Sequence, residues 1–118
     1  MPRKNSLTRE DFVRAGKAKL RRARGALFIL AFGRLPGQKT AEIKASCVVS
    51  KKTASRATER NLIKRKWREA MRSNLSGIPA PCMLIFYAMR PAKDASFADI
   101  KIDVEALVAR VGAELRGH

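Results

Sequence analysis

The feature that most constrains this sequence is a helical segment, Lys52–Leu75, whose two sides differ in chemistry. On a helical wheel of Arg56–Leu75, drawn at about 100° per residue, four apolar residues fall within one arc of roughly 100°. They are Ile63, Trp67, Ala70 and Met71. A helix with one apolar arc needs a second layer that buries it, so the segment predicts a domain in which this helix packs on a sheet.

Beside the apolar arc lies a second arc that we call the basic stripe: Asn61, Lys64, Arg65, Arg68 and Arg72. Segment 51–72 contains nine Lys and Arg, but only two acids, Glu59 and Glu69. Most charge runs are solvated faces, yet those mix both signs between neighbouring helical turns. Arginine, which grips phosphate through two hydrogen bonds and stacks on bases, outnumbers lysine here. The stripe therefore indicates binding to a nucleic acid.

The charge of the whole chain has the same bias. The net charge is +16 over 118 residues, and residues 1–72 carry all of it, with 21 Lys and Arg against 5 Asp and Glu. Such an excess favours a polyanionic partner, of which nucleic acid is the commonest and an anionic membrane the alternative. The longest apolar run, Gly25–Gly33, is nine residues, against the ~20 that cross a bilayer. We expect no membrane partner.

The sequence offers little for metal binding or secretion. Cys47 and Cys82 lie in separate strand-like runs, and the single histidine is His118. A zinc site needs four ligands, so we expect no metal and two reduced core cysteines. The N-terminal residues are basic and have no apolar stretch of signal-peptide length, so we expect a cytoplasmic protein.

The remaining patterns give an approximate order of elements. A capping signal starts a C-terminal helix at Ser96, with Asp99 three residues later. Its apolar residues recur at helical spacing: Phe97, Ile100, Val104, Leu107, Val108, Val111 and Leu115. The other elements are a loose basic arm (1–7), a short helix (Thr8–Ala18), a basic connector (Lys19–Arg24), strands at Ala26–Phe32, Ile43–Val49 and Cys82–Met89, and loops at Leu35–Thr40 and Pro91–Ala95. This order predicts one domain over 1–118, an α/β layer sandwich.

Several short motifs resemble the signature of the protein subunit of bacterial ribonuclease P. These motifs are Val49–Lys52, Arg56–Ala57, Glu59–Arg65, Arg68–Glu69 and Arg72. Three further motifs follow the same order as in that family: Glu10–Phe12, Phe28–Leu30 and Ile85–Pro91. The resemblance spans about Ser6 to Val111.

The resemblance implies an α+β fold, a two-layer sandwich of the ribosomal-protein-like type. Its order is helix, three strands, helix, strand, helix, with a four-stranded sheet. It also implies a left-handed βαβ crossover, an exception to the usual right-handed rule. The residues alone predict the layers but not the hand of the crossover.

The resemblance also implies the function. In this family an RNA cleaves precursor tRNA to leave the mature 5′ end, with magnesium held mainly by that RNA. The protein is a cofactor without catalytic residues, metal or small-molecule cofactor of its own, and it binds the catalytic RNA and the 5′ leader of the substrate. No obligate protein partner is expected. The alternative is a structural RNA-binding protein of ribosomal type, while scattered acids and a terminal histidine disfavour a protein nuclease acting alone.

Site residues follow from matching the motifs position by position. The resemblance implies RNA contacts for Lys51, Lys52, Arg56, Arg60, Asn61, Lys64, Arg65, Arg68 and Arg72. It also implies a leader cleft lined by the sheet and the first helix, for which Phe12 and Phe32 are the aromatic candidates, since aromatic faces stack on unpaired bases. Phe12 is equally well explained as a core anchor. The chain departs from the family at Leu62, where a cation is usual, and at Ala31, where an aromatic is common.

Overall fold

Four strands and two long helices make up the part of the chain that this computed structural model describes, residues 20–33, 43–74, 78–79 and 82–117. The predicted N-terminal arm, the helix at Thr8–Ala18 and the loop at Leu35–Thr40 lie outside the described residues. The elements are β1 (Arg21–Arg24), β2 (Phe28–Gly33), β3 (Ile43–Val48), α1 (Ala57–Arg72), β4 (Cys82–Ala88), a 3-10 helix (Arg90–Asp94) and α2 (Phe97–Arg116).

The four strands form one mixed sheet in the order β1-β2-β4-β3. β2 pairs antiparallel with β1 and β4, whereas β3 pairs parallel with β4. Parallel neighbours need a crossover connection, and α1 occupies it between β3 and β4. The α+β class, the four-stranded sheet and the βαβ unit are therefore confirmed.

Both helices bury their apolar arcs against the same face of the sheet, which we call the helix face. The predicted arc of α1, Ile63, Trp67, Ala70 and Met71, is buried throughout. Trp67 and Phe86 of β4 pack with ring centroids 5.5 Å apart, and Phe86 meets Phe28 edge-on at 5.9 Å. Aromatic contacts of this kind add to the free energy gained from burial alone. They bind α1 to the centre of the sheet.

The opposite side of the sheet, which we call the outer face, holds a smaller cluster. Ala31, Met83 and Ile85 are buried there, with Leu20 and Val48 packed against them. Strand alternation gives this face the residues between those of the helix face. The helix face therefore carries the main core, and the outer face carries the smaller cluster.

β1 is the element that the sequence analysis assigned wrongly, because we expected Lys19–Arg24 to be a connector. Arg21–Arg24 pairs with β2 from Arg21 opposite Phe32 to Arg24 opposite Ile29. Only Ala23 of this strand is buried. A four-residue edge strand with three arginines lacks the β-branched and aromatic residues that signal a strand.

The long helix also starts later than predicted, at Ala57 rather than Lys52. The Arg56 backbone N–H donates to Glu59 Oε1 at 3.1 Å, which satisfies a donor at the helix start. Before it, the chain turns at Ser50, whose carbonyl accepts hydrogen bonds from the N–H groups of Thr53 and Ala54, both at 3.1 Å. This turn uses backbone groups that a continuous helix would need.

Other boundaries differ by small amounts. The predicted loop Pro91–Ala95 contains the 3-10 helix, and Ser96 caps α2 as predicted, its Oγ accepting from the Asp99 N–H at 3.1 Å. Phe97, however, is 39% exposed, while the apolar residues behind it pack in the core or against it. Cys47 and Cys82 are buried and are not joined in a disulfide, as predicted.

α2 is joined to the β1–β2 turn through one buried carboxylate. Asp103 accepts hydrogen bonds from the N–H groups of Ala26, Leu27 and Phe28 at 2.8, 3.0 and 3.0 Å. The turn approaches so closely that a Cβ at Gly25 would lie 2.5 Å from Asp103 Oδ1. Glycine is therefore required there, and the clamp fixes the register of β1 and β2 relative to α2.

Candidate nucleic-acid interface

The basic stripe lies along the exposed side of α1, over the sheet edge that β3 forms. Asn61, Arg65, Arg68 and Arg72 are exposed and Lys64 is half-buried. Burial raises the pKa of the Cys47 thiol on β3 to about 12, and the charges of Lys64 and Arg68 counteract part of that rise. These two cations therefore lie close to the edge strand.

The stripe is only weakly neutralised. Among the described residues, the one ion pair that it forms joins Arg72 to Glu69 at 3.7 Å, and both side chains are exposed. Such a surface pair contributes little to stability. The remaining cations of the stripe keep their hydrogen-bond donors available to a phosphate backbone.

Two other charged residues of α1, Lys66 and Glu59, contact the segment that leads into α2. Lys66 donates to the Ala95 carbonyl at 3.1 Å, and Glu59 pairs with Lys93 of the 3-10 helix at 3.4 Å. The hydrogen bond from the Arg56 N–H, followed by the contact with Lys93, lowers the pKa of Glu59. Among the described residues, Lys66 of α1 therefore makes a structural contact, whereas the cations of the basic stripe other than Arg72 form no ion pair.

Lys51 and Lys52 continue the basic surface beyond the start of α1. Both are exposed in the turn after β3. Thr53 Oγ1 in that turn donates to the Ala88 carbonyl at 3.1 Å, which fixes the turn against the end of β4. Arg56, also exposed, follows at the N-cap of α1. The structure therefore brings the predicted strand-end lysines and the stripe onto one continuous surface.

Arg60 differs from the other predicted contact residues because part of its side chain is engaged within the protein. Its Nη1 donates to the carbonyls of Ala54 at 2.9 Å and Ser55 at 2.8 Å. These bonds fix the segment between the Lys51–Lys52 turn and the start of α1 against the helix. The guanidinium has five N–H donors, so Nε and Nη2 remain for a phosphate.

The two positions at which the chain departs from the family pattern, Leu62 and Ala31, lie on different elements. Leu62 is 43% exposed on α1, so this apolar residue stands in solvent where a cation is usual. Ala31 lies on the outer face of β2, in the small buried cluster.

The expectation that Phe32 lines a leader cleft is not supported by its position. Phe32 is 1% exposed and belongs to the core on the helix face, with the Arg21 guanidinium 5.4 Å from its ring centroid. Adjacent strand residues face opposite sides, so Phe32 cannot replace an aromatic at Ala31. Phe12 lies outside the described residues.

Three exposed residues of the outer face are absent from the site residues predicted from the sequence. Arg22 and Arg24 are exposed, and Tyr87 is the exposed aromatic of β4. The alternation of Arg22 and Arg24 with the buried Ala23 is the signal that could have identified the two arginines. Tyr87 could have been found from the alternation of the apolar run Cys82–Met89 only if one face were known to be partly exposed.

The described residues contain no group of three or more His, Cys, Asp and Glu side chains placed to hold a metal ion. Neither α1 nor α2 combines the length and apolar character that a bilayer crossing requires.

A weakly neutralised basic stripe on a helix that packs on a mixed sheet is typical of small α+β nucleic-acid-binding domains. Comparison with known proteins agrees with this class and narrows it. A family model described as Ribonuclease P matches residues 1–112. The chain therefore belongs to the ribonuclease P protein family, whose general role is RNA binding in tRNA processing.

Individual relatives agree with the family match. The ribonuclease P protein component of Streptomyces avermitilis is 32% identical over 117 aligned positions, which cover 94% of each chain. The component from a Nocardioides species is 36% identical over 69 residues, 58% of this chain and 59% of that protein. The RNase P protein of Staphylococcus aureus superposes with a TM-score of 0.77 at 27% identity, covering 91% of this chain and 94% of that one. The Thermotoga maritima protein, at 23% identity and a TM-score of 0.72 over 86% and 92%, shares the fold.

Proposed function

We propose that this chain is the protein cofactor of a ribonuclease P ribozyme. In this role it binds the catalytic RNA and the 5′ leader of precursor tRNA, and it assists the cleavage that leaves the mature 5′ end. The observation that carries the proposal is the basic stripe of α1, which lies within the family's signature motifs and, among the described residues, forms an ion pair only through Arg72.

The physical role is to reduce the repulsion between two RNAs. The catalytic RNA and the precursor tRNA are both polyanions, and cations placed between them release condensed counterions when they bind phosphates. The nine proposed contact residues, from Lys51 to Arg72, supply eight cations and one amide. Binding through them should lower the salt and magnesium that the RNA needs for activity.

The protein has no catalytic residue in this proposal. Magnesium is expected at the phosphates of the RNA subunit, where it would supply Lewis-acid chemistry. The residues of this chain position RNA and neutralise charge, and no small-molecule cofactor is proposed for it.

A structural RNA-binding protein of ribosomal type is the second candidate. The same helix-on-sheet arrangement and the same basic surface would suit it. It differs in the consequence of binding, because such a protein would bind RNA without changing the rate of tRNA cleavage.

The deciding experiment measures cleavage of a precursor tRNA by a bacterial ribonuclease P RNA at low magnesium, with and without the purified protein. We expect the protein to raise 5′-end cleavage strongly. A variant with Arg65, Arg68 and Arg72 changed to Ala should lose most of that effect, whereas a control with Lys101, Arg110 and Arg116 of α2 changed to Ala should keep it. Binding to the ribozyme no tighter than to an unrelated RNA, or no gain in cleavage, would overturn the proposal.

A further inference from the structure

A pocket that the basic stripe does not include lies between the β1–β2 turn, the 3-10 helix and the first turns of α2. Its volume is about 400 Å³, which falls within the range of small-molecule sites in proteins. None of its described lining residues belongs to α1, to β3 or to the nine proposed RNA contacts. The proposed RNA-binding surface therefore leaves this pocket unexplained.

The walls of the pocket are mainly apolar. Leu27 on the turn, Pro91 in the 3-10 helix and Ile102 on α2 form them. Ile102 is 65% exposed, the highest value among the large hydrophobic residues of the described chain. On a helical wheel it lies almost opposite the buried arc of α2, so core packing does not explain it. Together with its two apolar neighbours it is suited to cover the apolar part of a ligand.

Three carboxylates line the same pocket, and its described lining residues include no lysine or arginine. They belong to Asp94 at the end of the 3-10 helix, and to Asp99 and Asp103, one turn apart on α2. Asp94 and Asp99 are exposed, and their carboxylates form no ion pair or hydrogen bond with another described residue. In a chain with 26 Lys and Arg against 10 Asp and Glu, three acids without a described cationic partner at one pocket run against the overall charge.

Asp103 adds a buried negative charge to the pocket. It is only 8% exposed, and its two oxygens accept hydrogen bonds from the backbone N–H groups of residues 26–28. No described Lys or Arg pairs with it, and a carboxylate has about four acceptor positions, of which three are used. A pocket with low-dielectric walls and charges of one sign focuses the field and concentrates counter-ions. This pocket should therefore attract a cation.

The arrangement of the three acids selects among possible ligands. Phosphates are repelled by them, so the pocket does not extend the RNA-binding surface. A metal ion needs several oxygens gathered at about 2.0–2.6 Å from one point, and these acids are not placed to hold one. Carboxylates distributed over apolar walls instead match a larger cation that has an apolar part of its own.

We propose that this pocket binds an organic cation, an ammonium or guanidinium group carried on a compact apolar body. The cationic group pairs with Asp94 and Asp99 and donates to the remaining acceptor position of Asp103. The apolar body packs on the three apolar wall residues. The site is separate from the proposed RNA contacts and does not depend on the proposed function.

The test titrates the ¹⁵N-labelled full-length protein, at constant pH and ionic strength, with three ligands that share a phenylalkyl body. They are 4-phenylbutylamine, 4-phenylbutanol and 4-phenylbutyrate. We expect the amine to bind most tightly and the carboxylate most weakly, with amide shifts concentrated in the β1–β2 turn and the first turns of α2. Asp94→Asn and Asp99→Asn should each weaken amine binding by about 2- to 5-fold and leave the alcohol unchanged. Glu105→Gln, which removes an exposed acid of α2 outside the pocket, is the matched control and should bind the amine as wild type does.

The apolar requirement is tested separately. Ile102→Ser should weaken the amine and the alcohol alike, and methylamine or Mg²⁺ should shift the same amides far less than 4-phenylbutylamine at equal concentration. Equal affinities for the three phenylalkyl ligands, amide shifts outside the pocket, or equally strong shifts with methylamine or Mg²⁺ would overturn the inference. These comparisons use the wild-type protein, so they do not depend on how well a variant folds. Cleavage of precursor tRNA is not part of the readout, so failure here leaves the proposed function standing.

Discussion

The two long helices pack in the same way and differ in the side they show to solvent. α1 and α2 both bury an apolar arc on the helix face, and both are capped at the first turn. α1 carries six Lys and Arg against two acids, whereas α2 carries three against four. On α2, the exposed side mixes charges of both signs with small residues and two large apolar ones, Phe97 and Ile102.

The difference indicates that, on α1, the residues needed for folding and the residues proposed for binding lie on separate sides of the helix. Burial of an apolar arc is sufficient to place either helix on the sheet. The charge excess of α1 does not improve that packing, since like charges on neighbouring turns repel each other. We attribute the excess to the proposed polyanionic partner, and substitutions at four residues test this division.

The largest expected effect comes from the buried arc of α1. Trp67→Ala should lower the free energy of unfolding by roughly 3–5 kcal/mol, because it leaves a cavity beside Phe86. Trp67→Phe should cost less, since it keeps a ring there and removes an indole N–H that has no hydrogen-bond partner among the described residues. Chemical denaturation measures both. A loss under about 1 kcal/mol for Trp67→Ala would show that the helices are not held by this arc.

An intermediate effect is expected from the exposed side, and it should appear in binding rather than stability. Arg68→Ala should reduce the slope of log affinity against log salt by about 0.7–0.9, one phosphate contact, with ribozyme RNA as ligand. Arg110→Ala on α2 is the matched control and should leave the slope unchanged. Equal slopes for both variants would mean that the stripe is not the contact surface.

Arg60→Ala sharpens the same comparison. The sequence alone predicts that it behaves like Arg68→Ala, with the same loss of slope. The bonds from Arg60 Nη1 to two carbonyls predict an additional loss of stability, about 0.5–1.5 kcal/mol for each hydrogen bond. Denaturation of the two variants side by side separates these outcomes: a stability for Arg60→Ala equal to that of Arg68→Ala would show that the carbonyl contacts contribute nothing.

The smallest effect concerns Glu59, on the side of α1 that faces α2. Its pKa is lowered in the folded protein, so the folded state binds fewer protons than the unfolded chain and stability rises with pH in this window. The contribution is present above the usual glutamate pKa of about 4.3 and disappears as the pH falls through the lowered value. Glu59→Gln should therefore lower the Tm slightly near pH 7 and not at about pH 2. A difference that persists in acid would point to another cause.

The sequence predicted α1 and α2 well because a helix that packs on one side leaves a regular apolar period. The buried set of α1 was complete, and the cap of α2 at Ser96 was correct. β1 was missed because Arg21, Arg22 and Arg24 carry no strand signal, and pairing with β2 decides its conformation. The start of α1 shifted because the turn at Ser50 takes the backbone groups that Lys52–Arg56 would have used.

The candidate site also has one part that the sequence predicted and another that only the tertiary structure showed. The basic stripe could be predicted from the sequence alone, because helical periodicity brings Asn61, Arg65, Arg68 and Arg72 to one side of α1. The motifs also determined the family. Strand register depends on partners distant in sequence, and it decided which side of the sheet each strand residue faces. It placed Phe32 in the core on the helix face and Ala31 on the outer face, and it aligned Tyr87 with Arg24. Because a shift of one residue exchanges the two faces of a strand, only the tertiary structure could select the aromatic that faces outward.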